Sequence, residues 1–479
     1  MNYYIGLDIG TSSVKAMLIS DDKIIKIVSK DYPIFFPKPG YSEQNPADWY
    51  LKSITAIKEL TADIDKSKIL SIGFSGQMHG LVLLDENDCV IRPAILWNDG
   101  RSEKEVDYLN RIIGKDFLLD HTGNIAFAGF TAPKLLWVYR NEPDNFKKIR
   151  RIMLPKDYVA YMMSGIFATD TSDAAGTLYF DTEHRCWSKE MFSILHVDES
   201  MFPRVYESYE AVGNIKESLA GELGFMKNVK IVIGAGDNAA SAIGTDTVRD
   251  GDCNISLGTS GTVFVCTDNY RCDRKNAIHT FCSANGKYHY LACTLTAASS
   301  QKWWIEDILS GDYDYEKQAE LYFGKSDVLF LPYLMGERSP VNDTTVRGMF
   351  ANLSINTTRE EMSLAVLEGV AFSLRKNIDL IKSQGVRIEK SKVCGGGVRN
   401  KLFCRILSTV LNLELEVPKL EHGGVLGACI LAAKGVGNNV SDSFFRVSDI
   451  VQPVKDSVEF YNGKYEKYQK LYPIAKSLK

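Results

Sequence analysis

One short turn occurs twice in this chain, and that repetition constrains the fold more than any other feature. Ile5-Gly6-Leu7-Asp8-Ile9 runs into Gly10-Thr11-Ser12; near the middle of the chain, Ile255-Ser256-Leu257 runs into Gly258-Thr259-Ser260. In each copy an apolar, β-rich run ends on a glycine that lets backbone N–H groups approach an anion, and two hydroxyls add donors. The copies differ at one position, where the first carries Asp8 and the second Ser256. Two anion loops with a single acid between them suit a polyphosphate held from both sides, with a metal on one side.

The surroundings repeat as well. Residues 3–9, 14–19 and 23–34 read as a meander turned at Asp21-Asp22, followed by a helix from Pro46 to about residue 62. Ile69 to Phe74 is a compact strand, with short strands at Leu81 to Leu84 and Ile91 to Leu96. After residue 253 the plan recurs: Cys253 to Leu257, Thr262 to Cys266 and Tyr288 to Leu291 are strand-like. Residues 359–384 carry a broad apolar helical face, and 424–434 form a small-residue helix. At 479 residues the chain exceeds what one hydrophobic core usually supports. An α/β protein of two similar halves around a cleft is expected, divided near 244–253 into domains 1–245 and 246–479.

A formal net charge of −4 argues against nucleic acid as a partner, because phosphate neutralisation needs a basic surface. The 10 cysteines form no C-x-x-C pair and read as thiols in a reducing compartment, not as a disulfide or zinc framework. Met1 to Ile5 enters a strand with no basic leader, and no apolar stretch reaches membrane-spanning length. A cytoplasmic protein without a membrane partner is expected.

Asp8, at a strand end beside Gly10, can hold Mg²⁺ while the loop amides hold phosphate, or it can simply stabilise a tight turn. Asp237 follows the strand Ile231-Val232-Ile233 and a Gly-Ala-Gly turn at a helix start. It reads either as an N-cap or as a general base taking a proton from a substrate hydroxyl, kept ionised by the helix dipole. Residues 234–239 nearly match a dinucleotide fingerprint, but Asp237 would repel a pyrophosphate there. Gln77-Met78-His79 at a strand end offers polar and adaptable apolar contacts to a polyol, or only a structural hydrogen bond. Trp97-Asn98-Asp99-Gly100-Arg101 furnishes a sugar site, or is a polar loop anchored by a buried Trp. Gly395-Gly396-Gly397 with Asn400 lets backbone approach a ligand, or is only a tight connection. Lys23, Lys26 and Lys30 look like solvated faces.

Taken in order, these pieces resemble the FGGY family of carbohydrate kinases over nearly the whole chain. The resemblance rests on Ile5 to Ser12, Phe130-Thr131-Ala132-Pro133-Lys134-Leu135-Leu136-Trp137, Leu154 to Tyr158 and Ser172 to Thr177. It extends through Gly236-Asp237-Asn238-Ala239-Ala240, Ser256 to Gly261 and Leu331 to Arg338. Ser42-Glu43-Gln44, Gln77 to Gly80 and Ile95 to Asp99 are similar to members acting on D-xylulose. The resemblance implies the duplicated actin-like ATPase (ribonuclease H-like) fold and ATP-dependent phosphorylation of a ketose. Asp237 would be the catalytic base, and Asp8 would face Mg²⁺ and the phosphates. Gln77, Met78, His79, Trp97, Asp237 and Asn238 would bind the sugar. Gly10, Thr11, Ser12, Gly258, Thr259, Ser260, Trp303, Gly396, Gly397 and Asn400 would bind ATP. A homodimer is the family expectation. The alternatives are a kinase for ribulose or a sugar acid of the gluconate type, and a non-enzymatic ATP-switching protein of the same fold. Two departures, Asn352 where glycine is common and Gly424 where proline is usual, are read as touching no catalytic group.

Overall fold

Tyr3–Ile9, Ser13–Ile19 and Ile24–Asp31 form the expected antiparallel meander, and Ile69–Gly76 joins Tyr3–Ile9 in parallel. The computed structural model describes residues 2–275, 278–311, 317 and 319–478. Lys230–Gly236 pairs in parallel with Ile69–Gly76 and is flanked by the antiparallel strand Ala211–Asn214, completing a six-stranded sheet. The second half repeats this plan. Cys253–Leu257, Gly261–Thr267 and Tyr288–Thr294 form a meander, Lys390–Cys394 and Glu414–Pro418 add parallel strands, and Val447–Val451 closes one edge antiparallel. His279–Cys282 extends the other edge, giving seven strands.

The N-terminal strands are apolar on both faces because both faces are covered. Ile5, Leu7 and Ile9 pack with Trp49 and Ile57 of the helix Pro46–Leu60. Tyr4, Met17 and Ile19 pack instead with Val425, Leu426 and Cys429 of the helix Gly423–Lys434. That helix therefore comes from the second half of the chain but covers the first sheet. It also lies close against the helix Asp237–Gly244: a Cβ on Gly427 would sit 1.8 Å from the Ala240 carbonyl oxygen, so only glycine permits this approach.

Several expected elements are shorter. The third strand ends at Asp31, before Pro33, and the expected strand 91–96 reduces to Ala94–Ile95 after Pro93. Proline cannot donate to a ladder, which explains both boundaries. Ala94–Ile95 and Val82–Leu84 pair in two-stranded ribbons outside the main sheet. Residues 359–384 form the helix Arg359–Ser383, whose N-terminus is a capping box of Thr358 and Glu361. None of the ten cysteines forms a disulfide. Among the described residues, no helix is long and apolar enough to cross a membrane.

Candidate active site

Asp237 stands where the strand Lys230–Gly236 gives way to the helix Asp237–Gly244. Gly234, at φ 75°, lies against its neighbour strand so closely that a Cβ would meet the Phe74 carbonyl oxygen at 1.8 Å. The glycines thus serve strand contact, and the dinucleotide reading has no support in the geometry. Gly236 is the N-cap; Asp237 is the first helical residue, and its Oδ1 accepts from the Asn238 amide (2.8 Å) and from Asn238 Nδ2 (2.9 Å). Burial, then the charge of Asp8, pushes the Asp237 carboxyl up to about 7 against those two bonds. The helix N-terminus does not hold it low, as the sequence had suggested; loss of water around the carboxylate outweighs the dipole.

A buried ion cluster holds this segment in place. Lys156 Nζ lies 2.6 Å from Asp157, 2.8 Å from Asp170 and 3.6 Å from Asp173, all fully buried. Ser172 Oγ donates to Asp170 Oδ2 (2.5 Å) and accepts the Gly236 amide (3.1 Å). Burial works against the Lys156 ammonium, but the three carboxylates outweigh it and hold its pKa up. Burial also raises Asp173 well above the carboxylate range, against the pull of Lys156. The segments Leu154 to Tyr158 and Ser172 to Thr177 therefore fix the residue before Asp237.

Asp8 is in parallel register with Ser75, whose hydroxyl donates to Asp8 Oδ1 at 2.8 Å. No donor among the described residues engages Oδ2, and burial raises the carboxyl. Gly424 does stand beside this group: a Cβ there would lie 3.1 Å from Asp8 Oδ2 and 3.4 Å from Ser75 Oγ, so the departure from proline leaves room at Asp8. The loop Gly10-Thr11-Ser12 is braced from behind. Tyr32 donates to the Gly10 carbonyl, Gln44 Nε2 to the Thr11 carbonyl (2.7 Å), and Trp97 Nε1 to Thr11 Oγ1 (3.0 Å). Gln77 is buried and faces this brace, donating to Gln44 Oε1 at 3.0 Å; it does not line the sugar-sized cavity described next.

A cavity of about 230 Å³ lies above Asp237. Met78, His79, Trp97 and Asn238 line it from the first half; Ser260, His279, Cys293 and Arg338 line it from the second. His79 has φ 69°, and its carbonyl in this turn accepts from the buried Lys134 Nζ at 2.9 Å. Burial, Lys134 and Arg338 push the His79 imidazole well below its usual range, so it is neutral. Nδ1 lies 2.7 Å from the Gly176 carbonyl, an acceptor, which assigns the proton to Nδ1 and leaves Nε2 as an acceptor. Trp97 is 42% exposed and is no buried anchor. Asp99 and Arg101 are committed to each other and to Ser42 and Glu43, so that stretch offers Trp97 and Asn98.

In the second half, the Gly258 and Thr259 carbonyls accept from Ala298 (3.0 Å) and Ala297 (2.9 Å), which turns Gly258-Thr259-Ser260 toward the cleft. Trp303 lies parallel to Phe330, 6.2 Å between centroids. Gly395, at φ 92°, and Gly397 pack against Leu257, where a Cβ would fall within 2.8 Å, whereas one on Gly396 would meet nothing within 4 Å. The tight-connection reading thus accounts for Gly395 and Gly397 but not for Gly396. Asn400 caps the helix Lys401–Leu411, accepting from Phe403 N at 2.8 Å. Asn352 has φ 62°, a left-handed conformation that asparagine tolerates in place of glycine.

No local motif in the sequence marks His279, Cys293 or Thr262, which all line the cavity, and Arg338 stands out there only as the end of Leu331 to Arg338. Residues 3–244 match the model of the FGGY family of carbohydrate kinases, N-terminal domain, and residues 253–436 match its C-terminal domain. A xylulose kinase of Staphylococcus xylosus is 34% identical, covering 98% of this chain and 100% of the relative. The crystal structure of a "xyloylose kinase" from Brucella ovis superposes with a TM-score of 0.95 at 38% identity over 100% of both chains. That of a gluconate kinase from Lactobacillus acidophilus gives 0.94 at 26% identity over 99% of this chain and 98% of the other.

Proposed function

The chain belongs to the FGGY family of carbohydrate kinases, with its two-domain fold, and on that premise we propose that it transfers the γ-phosphoryl of ATP to the terminal hydroxyl of D-xylulose. The observation that carries the reading is Asp237: a carboxyl poised near 7 at the floor of a sugar-sized cavity, beside the Asp8 loop. A base with that poise accepts a hydroxyl proton near neutral pH as the oxygen attacks. Residues 1–245 carry the sugar side, the first phosphate loop and Asp237; residues 246–479 carry the second loop and the adenine side. Met78, His79, Trp97 and Asn238 orient the sugar, and Gln77 acts by holding the first loop. Gly10, Thr11, Ser12, Gly258, Thr259 and Ser260 hold phosphates; Trp303, Gly396, Gly397 and Asn400 hold the nucleoside. Closing the cleft would exclude water, the competing acceptor.

A hard cation suits Asp8, whose Oδ2 has no donor among the described residues and whose carboxyl burial has raised. Bound there, Mg²⁺ would neutralise charge on the phosphates. The same reading extends to a cytoplasmic enzyme and, as an expectation from the family alone, to a homodimer.

The identity of relatives named xylulose kinase, 34% over the full length in the first of them, favours D-xylulose over a sugar acid. The test is a panel of pentuloses and sugar acids with ATP and product identification, run also on Asp237→Ala. D-xylulose 5-phosphate should be the main product, and loss of the base should lower kcat by about 10²–10⁴. A phosphorylated sugar acid instead, or near-normal turnover by a folded Asp237→Ala, would refute the respective half of the proposal.

A further inference from the structure

Two groups in the sugar cavity carry polar atoms that nothing among the described residues satisfies. Arg338 Nε is buried without a hydrogen-bond partner, and no carboxylate among the described residues lies within ion-pair distance of its guanidinium. The adjacent Glu337 carboxylate is already taken by Thr294 Oγ1 (2.5 Å), the Leu295 amide (2.9 Å) and the Arg338 amide (2.7 Å). The guanidinium instead lies over the Phe127 ring, 5.0 Å from its centroid. His279 is 1% exposed, lines the same cavity, and uses neither ring nitrogen. Its ring is enclosed by Phe127 at 4.7 Å, Phe130 at 5.2 Å and Phe281 at 5.4 Å. Leaving a half-buried cation and a buried imidazole unpartnered is costly unless a ligand supplies the partners.

We infer that Arg338 and His279 recognise the end of the acceptor sugar remote from Asp237, with Arg338 donating to the carbonyl and adjacent hydroxyl oxygens of an α-hydroxyketone. The inference rests on the ketose-kinase reading above. Arg338 also borders a second cleft of about 410 Å³ that shares Trp97 and Leu295 with the sugar cavity, so it stands at the outer mouth while Asp237 stands at the floor. The charge distribution agrees: burial depresses His79 and His279 most, with Arg338 adding to it at both, whereas Asp237 is shifted by burial and Asp8. A guanidinium only donates, in a planar fork. A carbonyl oxygen only accepts, and with its neighbouring hydroxyl it presents two acceptors to that fork. Reduction of the carbonyl to an alcohol, as in xylitol, replaces the stronger acceptor.

The test compares wild type, Arg338→Met and Arg338→Lys on D-xylulose, xylitol and ATP. In Arg338→Met the preference for D-xylulose over xylitol in kcat/KM should fall about 10- to 100-fold, through KM for the ketose. Arg338→Lys, which keeps the charge but loses the fork, should restore only part of it and serves if the Met variant does not fold. His279→Phe should raise KM for D-xylulose about 3- to 10-fold. An unchanged sugar preference, an equal loss on both sugars, or a rise in KM for ATP alone would overturn the assignment while leaving the kinase reading intact. A wild-type protein that makes no D-xylulose 5-phosphate would remove both.

Discussion

Replacing Asp237 by asparagine should lower kcat by about 10²–10⁴ and yet stabilise the protein, by an amount that grows with pH. The carboxyl ionises at 3.8 in the reference state and at about 7 in the folded chain. Between those values the unfolded chain has lost a proton that the folded chain retains, so wild-type stability falls as pH rises through that window. At about 1.36 kcal/mol per pK unit, the ionised carboxylate costs the fold about 4 kcal/mol at pH 8 and about 1.5 kcal/mol at pH 5. The carboxamide of Asp237→Asn keeps the shape and the acceptor oxygen but never ionises. The variant's advantage over wild type should therefore widen by about 2–3 kcal/mol from pH 5 to pH 8, which at roughly 2 °C per kcal/mol is several degrees of melting temperature. Any constant packing effect of the substitution cancels in that difference. The assay is a pair of thermal melts at the two pH values without ATP, sugar or divalent cation, alongside the wild-type pH profile, whose kcat/KM should have an acid limb near 7. A stability gap that does not change with pH, or that narrows as pH rises, would show that burial and Asp8 do not hold the carboxyl up.

Lys156→Met should destabilise by about 3–5 kcal/mol in chemical denaturation, because it strands Asp157, Asp170 and Asp173 in the interior without their cation; a variant as stable as wild type would show that the cluster is held by its hydrogen bonds alone. Gly395→Ala should cost clearly more stability than Gly396→Ala, since φ 92° and the Leu257 carbonyl leave no room at the first and nothing crowds the second. Gly396→Ala should instead raise KM for ATP with its melting temperature within about 1–2 °C of wild type; an unchanged KM would remove Gly396 from the nucleotide site.

What could be read from the sequence was what is local in it. Each proposed phosphate loop is a contiguous strand and turn, and Asp237 and His79 both follow the end of a strand, so their neighbours along the chain already mark them. The meander followed by parallel strands was legible twice over for the same reason. Arg338 and His279 were not, because one lies in a turn after Leu331 and the other on an edge strand, and only the pairing of that strand with Tyr288–Thr294 brings them to one cavity. Gln77 was placed on the sugar side because it adjoins Met78 and His79. Beyond Gly76 the chain leaves the strand, and the Gln77 side chain turns back to Gln44 while Met78 and His79 line the cavity. Gly424 reads as remote from Asp8 for a related reason: nothing along the chain shows that the helix Gly423–Lys434 returns across the first sheet.

That returning helix sets an order of events during synthesis. Tyr4, Met17 and Ile19 have no cover until Val425, Leu426 and Cys429 have been made. At the usual 5–20 residues per second, the roughly 190 residues after Gly244 take about 10–40 s to emerge. Through that interval the nascent N-terminal half carries an open apolar face on a largely formed sheet, a surface that holdase chaperones bind and other nascent chains stick to. The lacing that joins the two halves of the kinase thus makes its first half dependent on its last helix long before any substrate is met.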